Sequence, residues 1–286
     1  MHPLFQKLAS ESRHRTLVMG ILNITPDSFS DGGRFLAPEA AFRQARDMVE
    51  QGADLLDLGG ESTRPGAPPV DEEEEARRVL PVARMIRESW PGLPWSIDTQ
   101  KAGVARAALE LGACMVNDVS ALGSDLSMAR LAADSGCGLV LMHRREASAA
   151  MRRSDQETRD YGAEGVVESV RGFLRERAAY AAERGIPAER IWIDPGFGFG
   201  KTVADNLSLL KHLDGLTSLG FGVLVGTSRK STIGTVLGGL PVAERLEGTA
   251  ATVALSVWMG AACVRVHDVR AMARVVKMTQ AVRDAA

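Results

Sequence analysis

Eight short apolar runs, spaced at fairly even intervals, constrain the fold of this chain more than any other feature of its sequence. Each run is too short for a helix and places Val, Ile and Leu at consecutive rather than alternate positions. The runs lie at residues 17–22, 55–58, 95–97, 113–116, 138–142, 191–193, 221–225 and 262–266. Consecutive apolar residues are typical of strands buried on both faces, so the pattern predicts a parallel sheet.

The segments between these runs show the apolar period of amphipathic helices. One helix is predicted to open at Pro38 and Glu39, since proline fits the first helical turn, and to end at Gly52 in a left-handed cap. Another is predicted over residues 71–90, which begin with acidic residues suited to the positive end of a helix dipole. Strand and helix therefore alternate along the chain.

Eight strand–helix units over about 250 residues predict an α/β fold, a (β/α)8 barrel of the TIM type. We expect a single domain over residues 1–286, with residues 1–16 as an N-terminal extension. A doubly wound, Rossmann-like sheet is the alternative, but such sheets usually have about five or six strands. No Gly-x-Gly-x-x-Gly follows the first run, which disfavours that alternative.

The composition limits the kinds of partner. The 34 basic and 36 acidic residues give a net charge of −2, whereas chains that coat nucleic acid or an anionic membrane need a basic excess. Three scattered cysteines without a Cys-x-x-Cys predict neither a disulfide framework nor a zinc site. Residues 1–15 lack the apolar stretch of a secretory signal. We therefore expect a cytoplasmic protein that binds small molecules and neither nucleic acid nor membrane.

Polar side chains end or follow every predicted strand. The carboxyl ends of barrel strands form one rim, where barrel enzymes carry their chemistry. If the barrel closes, three carboxylates or amides and three cations or potential cations converge on one opening. These are Asp98, Asn117 and Asp194, and Lys230, Arg265 and His267.

The chemistry of these side chains indicates the class of ligand. Asp98 and Asp194 accept hydrogen bonds without donating any, which suits a flat ring with several N–H donors, such as an aminopyrimidine. Lys230 balances the acids. Arg265 and His267 precede the last helix, whose free N–H groups favour an anion of the phosphate kind.

Metal and nucleotide motifs are sparse. Asn23 offers an amide oxygen, and a Mg²⁺ ion that bridges phosphates needs only about one or two such protein ligands. The sequence contains no cluster suited to a transition metal, no P-loop and no Gly-x-Ser-x-Gly elbow for a nucleophilic serine. Mg²⁺ is the one cofactor that these residues favour.

Two long loop sequences resemble a known family. Residues 20–33 (GILNITPDSFSDGG) and 59–66 (GGESTRPG) are similar to the two signatures of the dihydropteroate synthase family. Shorter matches occur in the same order at residues 97–99, 116–118, 194–201, 228–231 and 265–269. The resemblance covers residues 17–281, nearly the whole chain.

The resemblance implies a homodimeric transferase of folate biosynthesis. Its reaction condenses 6-hydroxymethyl-7,8-dihydropterin diphosphate with p-aminobenzoate to give 7,8-dihydropteroate and pyrophosphate. In this family the C–O bond breaks first, and the arylamine then captures a pterin-stabilised cation. Such a mechanism needs positioning and electrostatic stabilisation rather than a general base. The resemblance further implies Mg²⁺ as cofactor and sulfonamides, which mimic p-aminobenzoate, as inhibitors.

The matching positions carry the family's roles onto this sequence. The implied pterin-binding residues are Asp98, Asn117, Met142, Asp194 and Lys230. The implied diphosphate-binding residues are Asn23, Arg265 and His267, with Mg²⁺ at Asn23. The implied p-aminobenzoate-binding residues are Thr63, Arg64, Pro65, Phe199 and Ser231, helped by Asp27, Phe29 and Asp31 in a mobile first loop. The residues implied to act in catalysis are Asp98, Lys230, Arg265 and His267.

The chain departs from the family pattern at two places. The family usually continues its fifth strand as Met-His-Met-Gln-Gly-x-Pro, whereas residues 142–148 here read MHRREAS. Gln100 stands where the family usually has Ser or Tyr. The first change is expected to alter the rim and the way the fifth loop covers the pterin. The pocket positions themselves are retained, so the expected activity stands.

Two other functions remain open. A related barrel transfers a methyl group from a folate to a corrinoid, but it would not need residues 63–65 together with 228–231. A barrel that binds a pterin or a protein partner without turnover is supported by the altered fifth loop alone. The response to p-aminobenzoate separates the first alternative from the family's reaction, and turnover separates the second.

Overall fold

The structure is a computed structural model that describes residues 1–25, 33–62, 69–144, 161 and 165–285, with the backbone alone at 33–37. Its strands are β1 (Leu17–Asn23), β2 (Leu55–Gly59), β3 (Trp95–Asp98), β4 (Met115–Asp118), β5 (Gly138–Met142), β6 (Ile191–Asp194), β7 (Gly222–Val225) and β8 (Cys263–Val266). All pair in parallel and in chain order, and β8 closes on β1. The predicted (β/α)8 barrel is confirmed.

Helices follow the strands on the outside of the barrel, and one further helix, α1, precedes β1. They are α1 (Pro3–Glu11), α2 (Gly33–Glu50), α3 (Glu72–Ser89), α4 (Ala102–Glu110), α5 (Ser127–Ser135), α6 (Gly165–Glu183), α7 (Val203–Lys211), α8 (Asp214–Thr217), α9 (Ser231–Val236), α10 (Leu246–Trp258) and α11 (Val269–Arg283). Short 3-10 turns lie at Ala188–Arg190 and Val242–Glu244. In the described part of the chain, no helix combines the length and apolar character needed to cross a membrane.

The predicted start of α2 differs from the start in the structure, whereas the predicted bounds of α3 agree with it to within one residue. The prediction that Pro38 opens a helix is wrong, because α2 starts at Gly33 and Pro38 lies inside it. A proline removes one backbone hydrogen bond but does not always end the helix, and here the helical backbone extends upstream of it. Gly52 has a φ of 98°, as expected for a left-handed cap. Asp71 caps α3 by accepting from the Glu74 amide at 2.8 Å.

Several strands run past their predicted ends. Asn23, Gly59, Asp98, Asp118 and Asp194 are the last residues of their strands rather than the first residues of loops. Their backbone groups extend the sheet. The side chains of Asn23, Asp98 and Asp194 lie at the rim, whereas the Asp118 carboxylate accepts from Ser120 and Leu122 in the loop after β4. The apolar pattern ends these five strands one or two residues too early, because their last residues are polar or glycine, whereas β5, β7 and β8 end where predicted.

The segment predicted as an N-terminal extension carries α1, which covers the amino-terminal end of the barrel. Phe5 and Leu8 are buried within a cluster of barrel-interior residues, and the Phe5 ring lies 5.9 Å from that of Trp192. A Cβ at Gly138 would come within 2.2 Å of the Phe5 ring, so β5 needs glycine there. A separate apolar cluster fills the space between the strands and the outer helices.

Candidate active site

The carboxyl ends of β1 to β4 bring residues from four strands into one layer. Asn23 pairs in register with Gly59, and Gly59 pairs with Asp98. Asp98 pairs in turn with Asn117. A Cβ at Gly59 would lie 3.7 Å from Asp98 Oδ2 and 3.9 Å from Asn23 Oδ1. Gly59 therefore lies between the two polar side chains, within ordinary contact distance of both.

A carboxylate that the strand-end pattern of the sequence does not reveal supports this layer from inside the barrel. Asp57 of β2 is fully buried, and its Oδ1 accepts from Ser96 Oγ at 2.6 Å. Its Oδ2 accepts from Asn117 Nδ2 at 3.1 Å and from Arg265 Nε at 2.6 Å. Burying a carboxylate is costly unless such partners are present. Asp57 thus links β2 to β3, β4 and β8.

Arg265 of β8 lies between two acids. Besides the bond to Asp57, its Nη2 donates to Asp98 Oδ2 at 2.8 Å. The sequence predicts Arg265 as part of a phosphate site. In the structure its guanidinium also pairs with the carboxylates of Asp57 and Asp98. A guanidinium has about five N–H donors, so these two bonds leave others for a ligand.

Burial raises the pKa values of both rim acids. Desolvation raises the pKa of Asp98 to about 7, although the charge of Arg265 acts against it. Desolvation also raises the pKa of Asp194, while the Gly196 amide donates to its Oδ1 at 2.6 Å and favours the charged form. N–H donors from a ligand would favour the carboxylate form of both groups.

Lys230 brings a cation to the same mouth. It stands at the N-terminus of α9 without capping it, and its Nζ lies 3.8 Å from the centroid of the Phe199 ring. Burial lowers the pKa of Lys230 to about 8, while the charge of Asp194 acts in the opposite sense. Lys230 is therefore a largely desolvated amine held against an aromatic face.

The residue before Lys230 has an uncommon backbone conformation. Arg229 has a φ of 58°, which is costly for a residue with a Cβ. Its amide donates to Thr249 Oγ1 at 3.1 Å, and its carbonyl accepts from Arg245 Nη1 at 2.9 Å. Its guanidinium forms a two-point ion pair with Asp268, with Nε–Oδ2 at 2.8 Å. These contacts fix the backbone from which Lys230 enters the mouth.

His267 follows β8 and bonds to Ser228, which follows β7. The His267 amide donates to Ser228 Oγ at 3.1 Å, and the ring Nδ1 lies 3.0 Å from the same oxygen. These two contacts fix the His267 ring against the end of β7. Asp268, at the start of α11, does not cap that helix because it pairs with Arg229.

The remaining predicted site residues fall into two groups. Met142 ends β5, is 3% exposed and pairs in register with Asp194. Phe199 is half-buried, and Ser231, the first residue of α9, is exposed. The predicted residues that lie outside the described part of the chain are Asp27, Phe29, Asp31, Thr63, Arg64 and Pro65.

Asn23 is the predicted ligand of Mg²⁺. Among the described residues, no group of three or more His, Cys, Asp or Glu is placed to hold a metal ion. The described donor set therefore does not form an all-protein metal cage. A single amide oxygen at the rim fits a Mg²⁺ ion that keeps its waters and bridges phosphates.

The two departures from the family pattern lie in contact with each other. Gln100 Oε1 accepts from Ser124 Oγ at 2.9 Å and from Arg144 Nη2 at 3.4 Å. Gln100 follows β3, and Arg144 follows β5. The two changes therefore form one contact at the rim.

Comparison with known proteins points to one family. A family model described as "Pterin binding enzyme" matches residues 19–267. The chain is 44% identical over 269 residues to the dihydropteroate synthase of Bacillus subtilis (strain 168). That match covers 94% of this chain and 89% of the relative.

Solved structures of the same kind of enzyme share the fold. The Xanthomonas albilineans dihydropteroate synthase with 4-aminobenzoic acid is 45% identical, with a TM-score of 0.86 and coverage of 95% of this chain and 94% of that one. Its complex with 7,8-dihydropteroate gives 43% identity, a TM-score of 0.84 and 95% coverage of both chains. The Yersinia pestis dihydropteroate synthase, solved with a sulfonamide drug complex, is 37% identical, with a TM-score of 0.86 and coverage of 95% of this chain and 96% of that one.

Proposed function

The chain belongs to the dihydropteroate synthase family of pterin-binding enzymes, and from that premise we propose a role for each polar residue at the carboxyl-terminal mouth of the barrel. The reaction condenses 6-hydroxymethyl-7,8-dihydropterin diphosphate with p-aminobenzoate, giving 7,8-dihydropteroate for folate biosynthesis and pyrophosphate. The observation that carries the assignment is the meeting of two desolvated acids, Asp98 and Asp194, with Lys230 at one mouth of a barrel of this family.

The acids and the amide hold the pterin ring. Asp98 and Asp194 accept its N–H donors, and Lys230 donates to a ring oxygen or nitrogen. Asn117 is oriented by its bond to Asp57, which leaves its amide oxygen and second N–H for the ring. Met142 supplies an apolar wall. The support for these roles is the shared rim and the raised pKa values of the two acids.

The diphosphate binds beside the start of α11. Arg265 and His267 supply donors, and the N–H groups of the first turn of α11 add the positive end of the helix dipole. The bond of His267 to Ser228 fixes its ring. Asn23 would hold Mg²⁺, which would neutralise charge on the departing pyrophosphate when bound.

The arylamine binds toward the outer part of the mouth. Phe199 offers an aromatic surface and Ser231 a hydroxyl at the start of α9. The family's remaining positions complete the pocket in this proposal: Thr63, Arg64 and Pro65, with Asp27, Phe29 and Asp31 of the first loop.

Bond breaking precedes bond making in the proposed reaction. The bond between the pterin methylene carbon and the diphosphate oxygen breaks, and both electrons leave with pyrophosphate. The carboxylates of Asp98 and Asp194 stabilise the cationic pterin, while Lys230, Arg265 and His267 stabilise the leaving group. The arylamine nitrogen then forms the C–N bond and releases a proton to solvent. No side chain needs to act as a general base.

A homodimer is the proposed assembly. Leu255 and Trp258 of α10 and Met278 and Val282 of α11 are 47–65% exposed, and the two helices lie side by side. Large exposed apolar side chains on adjacent helices are typical of an interface between subunits. Trp258→Glu is expected to convert the dimer to a monomer, as measured by light scattering after gel filtration; a wild-type monomer would contradict the proposal.

A cytoplasmic location is also proposed. The three cysteines, Cys114, Cys137 and Cys263, are all buried and none forms a disulfide. That state suits a reducing compartment.

Product formation from the two substrates tests the function. The purified chain with Mg²⁺ is expected to form dihydropteroate at a rate that depends on both the pterin diphosphate and p-aminobenzoate. A folded protein that binds the pterin without turnover, or whose rate does not depend on the concentration of p-aminobenzoate, would overturn the proposal.

A further inference from the structure

The half-buried Lys201 places its ammonium group at the centre of the loop after β6. Lys201 Nζ donates to the carbonyl oxygens of Gly196 at 2.9 Å and Phe199 at 3.2 Å. It also contacts His143, at 3.2 Å from the carbonyl oxygen and 2.9 Å from Nδ1. An ammonium has three protons, so four acceptors at this range saturate it. Because Lys⁺ is only a donor, Nδ1 of His143 acts as an acceptor.

The loop backbone is shaped around this cation. Gly196, Gly198 and Gly200 have φ values of 66°, 83° and 67°, a region that favours glycine. A Cβ at Gly196 would lie 1.9 Å from the carbonyl oxygen of His143. The loop and the end of β5 are thus in direct backbone contact, and Lys201 bridges them.

The same loop makes two contacts with the proposed mouth residues. The Gly196 amide donates to Asp194 Oδ1 at 2.6 Å. The Phe199 ring lies 3.8 Å from Lys230 Nζ, and Phe199 is also the residue whose carbonyl oxygen bonds to Lys201. The position of this ring therefore depends on the contact made by Lys201.

We propose that Lys201 is a positioning residue of the active site: by gathering the loop carbonyls and His143, it holds the Phe199 ring against Lys230. This inference rests on the proposed function, because it takes Phe199 and Lys230 as substrate-binding groups. Lys201 acts through these two residues and not on the substrate.

A second anchor keeps the loop attached when the cation is lost. The Gly198 amide donates to Asn206 Oδ1 at 2.7 Å, and Asn206 Nδ2 donates to Thr232 Oγ1 at 3.0 Å. Thr202 and Asp205 form a capping box at the start of α7. Replacing Lys201 is therefore expected to free the Phe199 carbonyl and ring, while the loop stays attached at Gly198 and the barrel stays folded.

Loss of the Phe199 contact changes the surroundings of Lys230. The charged groups that act on Lys230 are Asp194 of β6, Arg265 of β8 and Asp98 of β3, and burial is the largest influence. Removing the covering ring lets water reach the ammonium, so we expect the lowering that comes from burial to be relieved and the pKa of Lys230 to rise from about 8 toward that of an ordinary lysine. This readout does not depend on turnover.

The experiment compares Lys201→Met, Lys201→Arg and Lys201→Ala with the control Lys211→Met, a substitution of an exposed lysine on α7. Nuclear magnetic resonance of labelled lysine side chains follows the titration of Lys230, which is tractable because the chain has six lysines. Steady-state kinetics give kcat and KM for p-aminobenzoate, and thermal melting confirms folding.

We expect Lys201→Met to raise the Lys230 pKa by at least one unit and to raise KM for p-aminobenzoate at least tenfold. The control should match the wild type. Millimolar ethylammonium is expected to restore part of the lost activity of Lys201→Ala by refilling the carbonyl cradle, and Lys201→Arg should retain more activity than Lys201→Met.

A folded Lys201→Met enzyme with the wild-type Lys230 titration and wild-type KM would overturn the inference. An inactive wild-type enzyme would instead overturn the proposed function. The titration of Lys230 would still decide whether Lys201 holds Phe199 in place.

Discussion

The two ends of the barrel use the same strands in opposite ways. At the amino-terminal end, α1 inserts Phe5 and Leu8 among apolar interior residues, and the opening is closed. At the carboxyl end, Asp57, Arg265 and Lys230 place charges where water is largely excluded. Apolar burial stabilises the fold, whereas burying charges costs free energy even when they are paired. Apolar packing at the closed end therefore offsets part of the free-energy cost of burying charges at the carboxyl end.

The largest expected effect is at the closed end. Phe5→Ala is expected to lower the free energy of unfolding by about 3–5 kcal/mol, because it leaves a cavity beside Trp192. The kcat of the folded protein should not change. Urea denaturation and specific activity at a temperature below melting measure the two quantities.

The matched control for this substitution is Lys7→Ala, which changes an exposed residue of the same helix. A tenfold loss of kcat in folded Phe5→Ala would show that the two ends are not separable.

At the mouth of the barrel we expect a loss of turnover without a loss of stability. Lys230→Ala should lower turnover about 10²–10³-fold, as removal of one preorganised stabilising group typically does. Its melting temperature should stay close to that of the wild type, because the lost cation is a desolvated one whose pKa burial lowers to about 8. Single-turnover rates and melting curves provide the test, with Lys211→Ala as control. A near-normal rate would refute the role of Lys230.

A pH effect of intermediate size is expected from Asp98. Its pKa is raised to about 7 in the ligand-free protein, and N–H donors of a bound pterin favour the carboxylate form. Binding therefore lowers this pKa, so affinity should be constant above about pH 7 and fall as the pH drops below it. The limiting slope is about tenfold per pH unit, since one proton is involved.

Calorimetric titration with a pterin that lacks the diphosphate isolates this effect from phosphate ionisation. Asp98→Asn is the matched variant, and it should bind more weakly and lose the part of the slope that comes from Asp98, leaving only that of Asp194. Affinity that rises as the pH falls would contradict the assignment of Asp98.

The smallest effect concerns strain near the mouth. Arg229→Gly and Arg229→Ala both remove the ion pair with Asp268, but only glycine tolerates a φ of 58° without cost. Arg229→Gly should be more stable than Arg229→Ala by roughly 0.5–1 kcal/mol, after allowance for the greater freedom of glycine in the unfolded chain. Denaturant titration measures the difference. An alanine variant of equal or greater stability would show that the turn is unstrained.

Three of the site residues could be predicted from the sequence because of where they stand in their strands. Asp98, Asn117 and Asp194 are predictable because each interrupts an apolar run at its end, where barrel strands meet at one rim. The apolar runs themselves predict the barrel.

Asp57 escapes a prediction based on strand ends, because it stands inside an apolar run, flanked by Leu56 and Leu58. A charged residue in the middle of a fully buried strand is itself a signal, because it demands a buried partner. That partner, Arg265, lies 208 positions away in the chain, and only barrel closure brings the two together.

Other features depend on tertiary packing that no local pattern encodes. The closure of the barrel by α1 is not predictable, because Phe5 and Leu8 give only a short apolar signal before the first strand. The carbonyl cradle of Lys201 arises from backbone conformation at three glycines, which the sequence presents as simple turn residues.

A crystal structure of the protein soaked with the pterin diphosphate tests the convergence of these residues on one ligand most directly. We expect the ring within hydrogen-bond distance of Asp98, Asn117 and Asp194, with the diphosphate beside Arg265 and His267. A pterin bound away from this mouth, or one with its diphosphate remote from the start of α11, would contradict the proposed site.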